Sequence, residues 1–204
     1  MMRSLLAIGL IALAGCRTPG PRRIDASGDE AVTSMGLDYA DFVEVAEDLA
    51  GKLVHGESFL NRAPYVDHYP IKMVLSDIDN RTDIRGLPTN QITGRVRSAG
   101  LNSGKIRFVS SFGGGERDSV VEGAQDVAAD PRFQQQQVPK QGSLTFPEMS
   151  LRTVIDFFHS TDGTSRQSTY VVHMFVSDIA SGEIYWEEFS KPIAKAIGRR
   201  NVGS

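Results

Sequence analysis

Two long apolar stretches near the C-terminal end, residues 148–160 and 166–181, most constrain what this chain can fold into. Each carries apolar side chains on both parities, as Leu151 and Val154 do in the first stretch. That pattern is typical of β-strands with both faces covered. The five residues between them, Thr-Asp-Gly-Thr-Ser, have turn chemistry. The sequence therefore predicts a long β-hairpin.

Helical patterns precede this hairpin. Five apolar residues near position 45 recur at helical spacing, which predicts an amphipathic helix with Asp38 as its N-cap. The residues of this stripe are Phe42, Val45, Ala46, Leu49 and Leu53. A second helix is expected from Thr89, closed by Gly104 in the left-handed cap conformation. A third pattern runs from Val120 to Val127.

Shorter strand patterns complete the chain. Residues 71–75 and 105–109 are predicted strands, and Asp79-Asn80 is expected to break the first of them. A turn containing Gly182 precedes a further strand at residues 183–190. We expect residues 191–200, with Lys191, Lys195, Arg199 and Arg200, to form a short helix or tail. The order of elements predicts an α+β fold, with a mixed or antiparallel sheet of about four to five strands flanked by helices.

The N-terminal segment has the layout of a secretory signal. Arg3 supplies a positive charge, and the apolar run behind it is shorter than the about 20 residues needed to span a membrane. It ends in Leu13-Ala14-Gly15-Cys16, which resembles the lipobox of bacterial lipoproteins, whose cysteine receives a diacylglyceryl group. The alternatives are an ordinary secretory signal with an incidental Cys16, or a buried structural cysteine.

Lipidation would divide the chain into three parts. We expect a signal peptide at residues 1–15, a lipidated Cys16 with a flexible tether as far as residue 36, and a globular domain at residues 37–204. Arg17 stands where an aspartate resembles an inner-membrane retention signal. This favours anchoring in the outer membrane, with the domain facing the periplasm.

Composition excludes several classes of function. A formal net charge of -3 argues against a nucleic-acid partner. A single cysteine leaves no disulfide and no thiolate zinc site. The four histidines, His55, His68, His159 and His173, lack metal-ligand spacing. Ser58 is not in a nucleophile elbow, and the glycine run at 113–115 is not a phosphate loop. We therefore predict neither catalysis nor a cofactor.

One group of charges is a candidate for binding a partner. Arg81, Arg85, Arg95 and Arg97 lie close together in the sequence, followed by Lys105 and Arg107 and partly offset by aspartates. A positive patch could meet an acidic partner, because complementary charge raises the rate of encounter. The alternative is an ordinary solvated helix face.

Residues 77–111 and 174–196 resemble the family of LpoB, an outer-membrane lipoprotein that activates a penicillin-binding protein. The resemblance is carried by Asn80-Arg81-Thr82, by Asn102-Ser103-Gly104-Lys105 at a helix end, and by the turn that joins Gly182 to Trp186. We interpret Asn80, Gly104, Gly182 and Trp186 as structural residues.

The resemblance implies a fold similar to the N-terminal domain of TolB and to the curli-secretion lipoprotein CsgG. It also implies a non-catalytic protein that binds and activates a class A bifunctional penicillin-binding protein. Two features depart from the family: the tether is short, and no motif marks the binding surface. The alternatives are a CsgG-like secretion or assembly accessory and, on the scattered histidines and Ser58, a small periplasmic hydrolase.

Overall fold

The computed structural model describes residues 25, 36–55, 58–62, 65–111, 118–127, 130, 132, 134, 136, 139–140, 142–163 and 165–198. The predicted signal peptide, Cys16, nearly all of the tether, the glycine run at 113–115 and Arg199 and Arg200 lie outside these ranges. No helix within the described ranges is both long enough and apolar enough to cross a bilayer.

Helix α1 (Tyr39–Val54) forms where its apolar stripe predicts it. Asp38 is the N-cap: its side chain accepts from the Asp41 N–H, while the Asp41 carboxylate accepts from the Asp38 N–H at 2.8 Å. This capping box satisfies donors that the first helical turn leaves without partners. The stripe is then buried, with Leu49 and Leu53 fully enclosed.

Two further helices are described, α2 (Asn90–Asn102) and α3 (Ser119–Asp126), together with single 3₁₀ turns at Phe59–Asn61 and Tyr65–Asp67. Helix α2 tolerates a buried glycine at its C-terminal end because it lies against a strand. A Cβ on Gly100 would stand 3.0 Å from the Phe108 ring. The predicted helices are thus present.

Within the described ranges, seven strands form one mixed sheet. They are β1 (Ile71–Leu75), β2 (Asp79–Asn80), β3 (Ile106–Phe108), β4 (Met149–Thr161), β5 (Ser165–Asp178), β6 (Ile184–Phe189) and β7 (Ile193–Gly198). The main order is β3-β1-β4-β5-β6, with β2 beside β4 and β7 beside β5. β1 pairs parallel with β3 and β4, whereas β4, β5, β6 and β7 meet in antiparallel pairs. The α+β prediction is confirmed, with five main strands.

Three predictions need correction. Residues 193–198 are a strand and not a helix or tail, because the first half of β5 offers an edge to which they bind. Asp79-Asn80 does not simply end a strand: it forms a two-residue parallel ladder beside β4. β5 is not fully covered on both faces, because its buried residues alternate with half-buried ones.

Both longer helices cover the same face of the sheet. Leu49 of α1, Ile92 of α2, Met73 of β1 and Ile155 of β4 belong to one buried cluster. Residues of opposite parity on β4 and β5 point to the second face, where Phe158 is 57 % exposed. The sheet therefore has one face packed against helices and one more open face.

Candidate partner-binding surfaces

The Asn80 side chain organises the loop that follows β2. Its carbonyl oxygen accepts from the Thr82 backbone N–H at 3.0 Å and from the Thr82 hydroxyl at 2.7 Å. Its amide nitrogen donates to the Ile84 carbonyl at 3.0 Å. These bonds turn the chain locally and leave Asn80 in a structural position at the surface.

Arg81 lies in an ionic network on the more open face of the sheet. Its guanidinium is 3.0 Å from Asp79 and 3.4 Å from Asp156 of β4. Arg152 reaches the same Asp79 carboxylate at 3.4 Å. Two arginines thus meet two aspartates, so this network carries little net charge.

The other three candidate arginines do not extend that network. Arg95 on α2 turns towards α1, where it donates to the Tyr39 hydroxyl at 2.9 Å and approaches Glu47 at 3.9 Å. Arg97 is half-buried on the same helix. Arg85 is exposed in the loop before α2. Because α1 and α2 cover one face while Arg81 lies on the other, the four arginines do not share one surface.

Two glycines of the resemblance occupy left-handed backbone. Gly104 has φ of 72° behind α2, and Gly182 has φ of 77° before β6. Residues with a Cβ rarely adopt these angles. In the second turn the Gly182 N–H donates to the Asp178 carbonyl at 2.9 Å, and the Asp178 carboxylate accepts from the Ser181 N–H at 2.7 Å. The Ser181 hydrogen bond lowers the pKa of Asp178.

Trp186 lies on β6 and lines a groove. The groove has a volume of about 740 Å³ and runs between α1 and β6. Trp186, which is 9 % exposed, belongs both to its lining and to the hydrophobic core. The groove is therefore built on packed, rigid elements.

Carboxylates lie on both walls of this groove. Glu47 and Asp48 come from α1, and Glu187 and Glu188 come from β6. Each wall contributes two acidic residues that are neighbours in the sequence. No sequence pattern indicated that these two acidic pairs would line the same groove. The sequence interpretation, which concentrated on arginines, missed this site.

Lys52 already occupies one end of the groove. Its ammonium donates to the Phe189 backbone carbonyl at 2.7 Å and lies 3.1 Å from Asp48 and 3.9 Å from Glu188. The lysine side chain is 34 % exposed. A carbonyl and two carboxylates from separate elements therefore converge on one cation.

An aromatic cluster lies beside the groove, whose lining includes Phe59 and Tyr185. The Tyr65 ring contacts both of these rings edge to face, with a centroid distance of 5.3 Å in each contact. The Tyr185 hydroxyl donates to Glu183 at 3.0 Å. Hydrogen bonds with Tyr65 and then with Glu183 raise the pKa of Tyr185, so the phenol stays protonated. At 40 % exposure, the Tyr185 ring is accessible beside the carboxylates.

Ser58, a residue of the hydrolase hypothesis, has a structural role. Its hydroxyl donates to the Leu53 carbonyl and accepts from the Leu60 N–H, and it is 1 % exposed. Of the histidines, His173 contacts Glu187 at 2.6 Å and stacks on Phe189. His159 is a cross-strand partner of Ser168, so the two strand histidines are not opposite each other. Among the described residues, no group of three metal-ligating side chains is found.

The architecture defines the class of the protein: an α+β domain with a mixed sheet of five main strands, helices on one face and a groove along one sheet edge. The family model of the peptidoglycan-synthase activator LpoB matches residues 41–191, and the chain belongs to this family. It is a family of non-catalytic activators, and membership implies a role in activating a peptidoglycan synthase.

Solved structures similar to this chain include two LpoB C-terminal domains and one lipoprotein. The LpoB C-terminal domain from Escherichia coli is 13% identical, covers 78% of this chain and 98% of its own, and gives a TM-score of 0.40. The corresponding domain from Salmonella enterica is 17% identical, with coverages of 78% and 99% and a TM-score of 0.38. Lipoprotein GNA1162 from Neisseria meningitidis is 16% identical, with coverages of 66% and 88% and a TM-score of 0.33. No curated protein matches the sequence.

Proposed function

We propose that this protein is an outer-membrane lipoprotein that faces the periplasm and binds and activates a class A bifunctional penicillin-binding protein. The observation that carries the proposal is the family match over residues 41–191, which spans most of the domain. The protein acts by contact, and the partner performs the glycan polymerisation and peptide crosslinking.

The local geometry supports a binding role. The lining of the α1–β6 groove includes aromatic side chains, among them Tyr185 and Trp186 of β6, and aromatic residues are enriched in protein-binding sites. The Ser58 hydroxyl is engaged with the backbone on both its donor and acceptor sides. The histidines on β4 and β5 lie on separate cross-strand pairs. These residues favour binding over hydrolysis.

Acylation of Cys16 would hold the domain at the membrane. Two acyl chains anchor a protein stably, since each buried methylene contributes about 0.8 kcal/mol. The short tether of about twenty residues spans at most about 70 Å when fully extended. We therefore expect the partner to approach the outer membrane more closely than a long-tethered activator would require.

Reconstitution tests the activator role. The purified protein is mixed with the class A synthase of the same cell, and glycan polymerisation and crosslinking are followed on lipid-linked precursor. We expect both rates to rise. Unchanged rates, together with repeated failure of in-cell crosslinking to recover a synthase, would reject the proposal. A CsgG-like assembly would instead appear in light scattering as a large ring.

Mass spectrometry of the mature N-terminus tests the anchor. We expect a diacylated or triacylated Cys16, and we expect Cys16→Ser to release the protein from the outer-membrane fraction. The released variant should still bind the synthase in solution, because the described domain does not include Cys16. An unmodified cysteine in the native protein would contradict the anchoring proposal.

A further inference from the structure

Among the residues that the structure describes, no strand pairs with β6 on the side that borders the groove. Within the described part of the chain, β6 pairs only with the C-terminal half of β5. β7 pairs with the N-terminal half of β5. The Phe189 carbonyl is directed to this free side, because it accepts from Lys52 of α1. An edge strand with free backbone groups can pair with an extended segment of another protein.

The charges of the groove lining indicate which side chains a bound segment must have. The groove lining has four carboxylates against two permanent cations. The carboxylates are those of Glu47, Asp48, Glu187 and Glu188, and the cations are Lys52 and Arg62. From outside the lining, Arg95 approaches Glu47 at 3.9 Å and His173 contacts Glu187 at 2.6 Å, so four carboxylates still exceed three permanent cations. The Glu47 and Glu188 side chains are 69% and 45% exposed, so both are accessible from solvent. A ligand that complements this groove is therefore positively charged.

Lys52 demonstrates that the groove holds an ammonium group. The Lys52 ammonium contacts the Phe189 carbonyl, the Asp48 carboxylate and the Glu188 carboxylate at the same time. Elsewhere in the lining, Tyr185 is 40% exposed and lies two positions from Glu187 on β6. Cations bind favourably over aromatic rings. The Tyr185 ring is therefore a candidate contact for a second basic side chain.

We propose that the α1–β6 groove binds an extended, basic segment of the partner protein, which pairs with the free edge of β6 and places lysine or arginine side chains between the carboxylates of α1 and β6. The identity of the partner as a synthase rests on the proposed function. The acidic groove, and not the arginine group at 81–97, is then the specific recognition surface.

A model peptide tests the groove by itself. A synthetic hexapeptide of alternating lysine and valine is titrated into the ¹⁵N-labelled protein, and amide shifts are followed by NMR. We expect saturable shifts at residues 184–189 and at the end of α1, and none with a peptide in which glutamate replaces lysine. Absence of shifts at β6, or equal shifts with both peptides, would overturn the inference.

Matched double variants test the same surface against the synthase. Glu47→Gln with Glu188→Gln removes two exposed groove charges, which lie 3.9 Å from Arg95 and Lys52 respectively. We expect the Kd for the synthase to rise about tenfold at low salt and to depend less on salt. Glu44→Gln with Glu148→Gln removes equal charge outside the groove lining and should leave the Kd unchanged.

The outcomes separate the two proposals. If the native protein binds the synthase and both double variants bind as tightly, the groove inference fails while the activator role stands. If the native protein binds the lysine peptide at β6 but no synthase, the groove inference stands and the proposed partner is wrong. Circular dichroism spectra of the variants, matched to the native protein, show that folding is unchanged.

Discussion

The two ends of α1 carry similar carboxylates in opposite situations. At the N-terminal end, Asp38 and Asp41 contact the Lys195 ammonium of β7 at 2.6 and 2.5 Å, and the Lys195 side chain is only 16% exposed. Towards the C-terminal end, Glu47 and Asp48 line the groove; Asp48 is 20% exposed and paired with Lys52, whereas Glu47 is 69% exposed. The first cluster is closed by the chain itself, whereas Glu47 of the second stays open to solvent.

Their electrostatics explain the difference in role. Burial acts to lower the pKa of Lys195, but hydrogen bonds and charge from Asp38 and Asp41 outweigh burial and raise it. Burial acts to raise the pKa of Asp38, but its bonds to Lys195 and to the Asp41 N–H lower it. The closed end therefore stabilises the fold, because both partners favour their charged forms. The open end leaves similar chemistry accessible to another molecule.

Removing the Lys195 ion pairs at the closed end of α1 should have the largest effect on stability. Lys195→Met leaves two partly buried carboxylates without their cation and loosens β7 from α1, so we expect the free energy of unfolding to fall by about 2 kcal/mol. Urea unfolding followed by circular dichroism measures this. Lys72→Met is the control, because its pair with Glu148 is half exposed and should contribute under about 1 kcal/mol. Equal losses in both variants would show that the end of α1 is not specially stabilised.

The pH dependence of stability should sharpen the same contrast. Because the folded pKa of Asp38 lies below its ordinary 3.8, its contribution is present above that value and is lost as pH falls through the folded pKa. Because the folded pKa of Lys195 lies above 10.5, its contribution is present below that value and is lost as pH rises through the folded pKa. We expect the native protein to lose about 1 kcal/mol more than Lys195→Met in urea unfolding between pH 5 and pH 2.5. Parallel losses would contradict this assignment.

The smallest effect is expected at the open end. Lys52→Met removes one of the two cations that line the groove and leaves the 20%-exposed Asp48 without its partner, so we expect the free energy of unfolding to fall by less than about 1 kcal/mol. The lysine peptide should bind about threefold more tightly, since its competitor for Asp48 and Glu188 is absent. Calorimetry measures both affinities. Weaker binding by this variant would mean that Lys52 itself is part of the recognition surface.

Patterns confined to a few residues were predicted well from the sequence. The stripe from Phe42 to Leu53 repeats at helical spacing, so α1 and its Asp38 cap could be assigned locally. The β4–β5 hairpin was predictable because both strands and their turn are contiguous in the chain. Periodicity and turn chemistry act over short distances, and one sequence displays them directly.

The candidate site could not be predicted in this way. Glu47 and Glu188 meet only because α1 packs beside β6, far away in the sequence. The arginines at 81–97 seemed to form a patch because they are close in sequence, yet Arg81 pairs with β4 and Arg95 with α1 on opposite faces of the sheet. Proximity along a chain does not establish proximity on a surface.

The sequence by itself determined the helices, the long hairpin and the left-handed turns, since each depends on spacing and backbone preference within one segment. Only the tertiary structure decided that residues 193–198 form a strand, because their hydrogen-bond partners lie on β5. It also decided which carboxylates are neutralised and which stay open. Lys195 is 157 positions from Asp38. Pairing of charges and strand edges depends on distances in space that only packing of the whole domain sets.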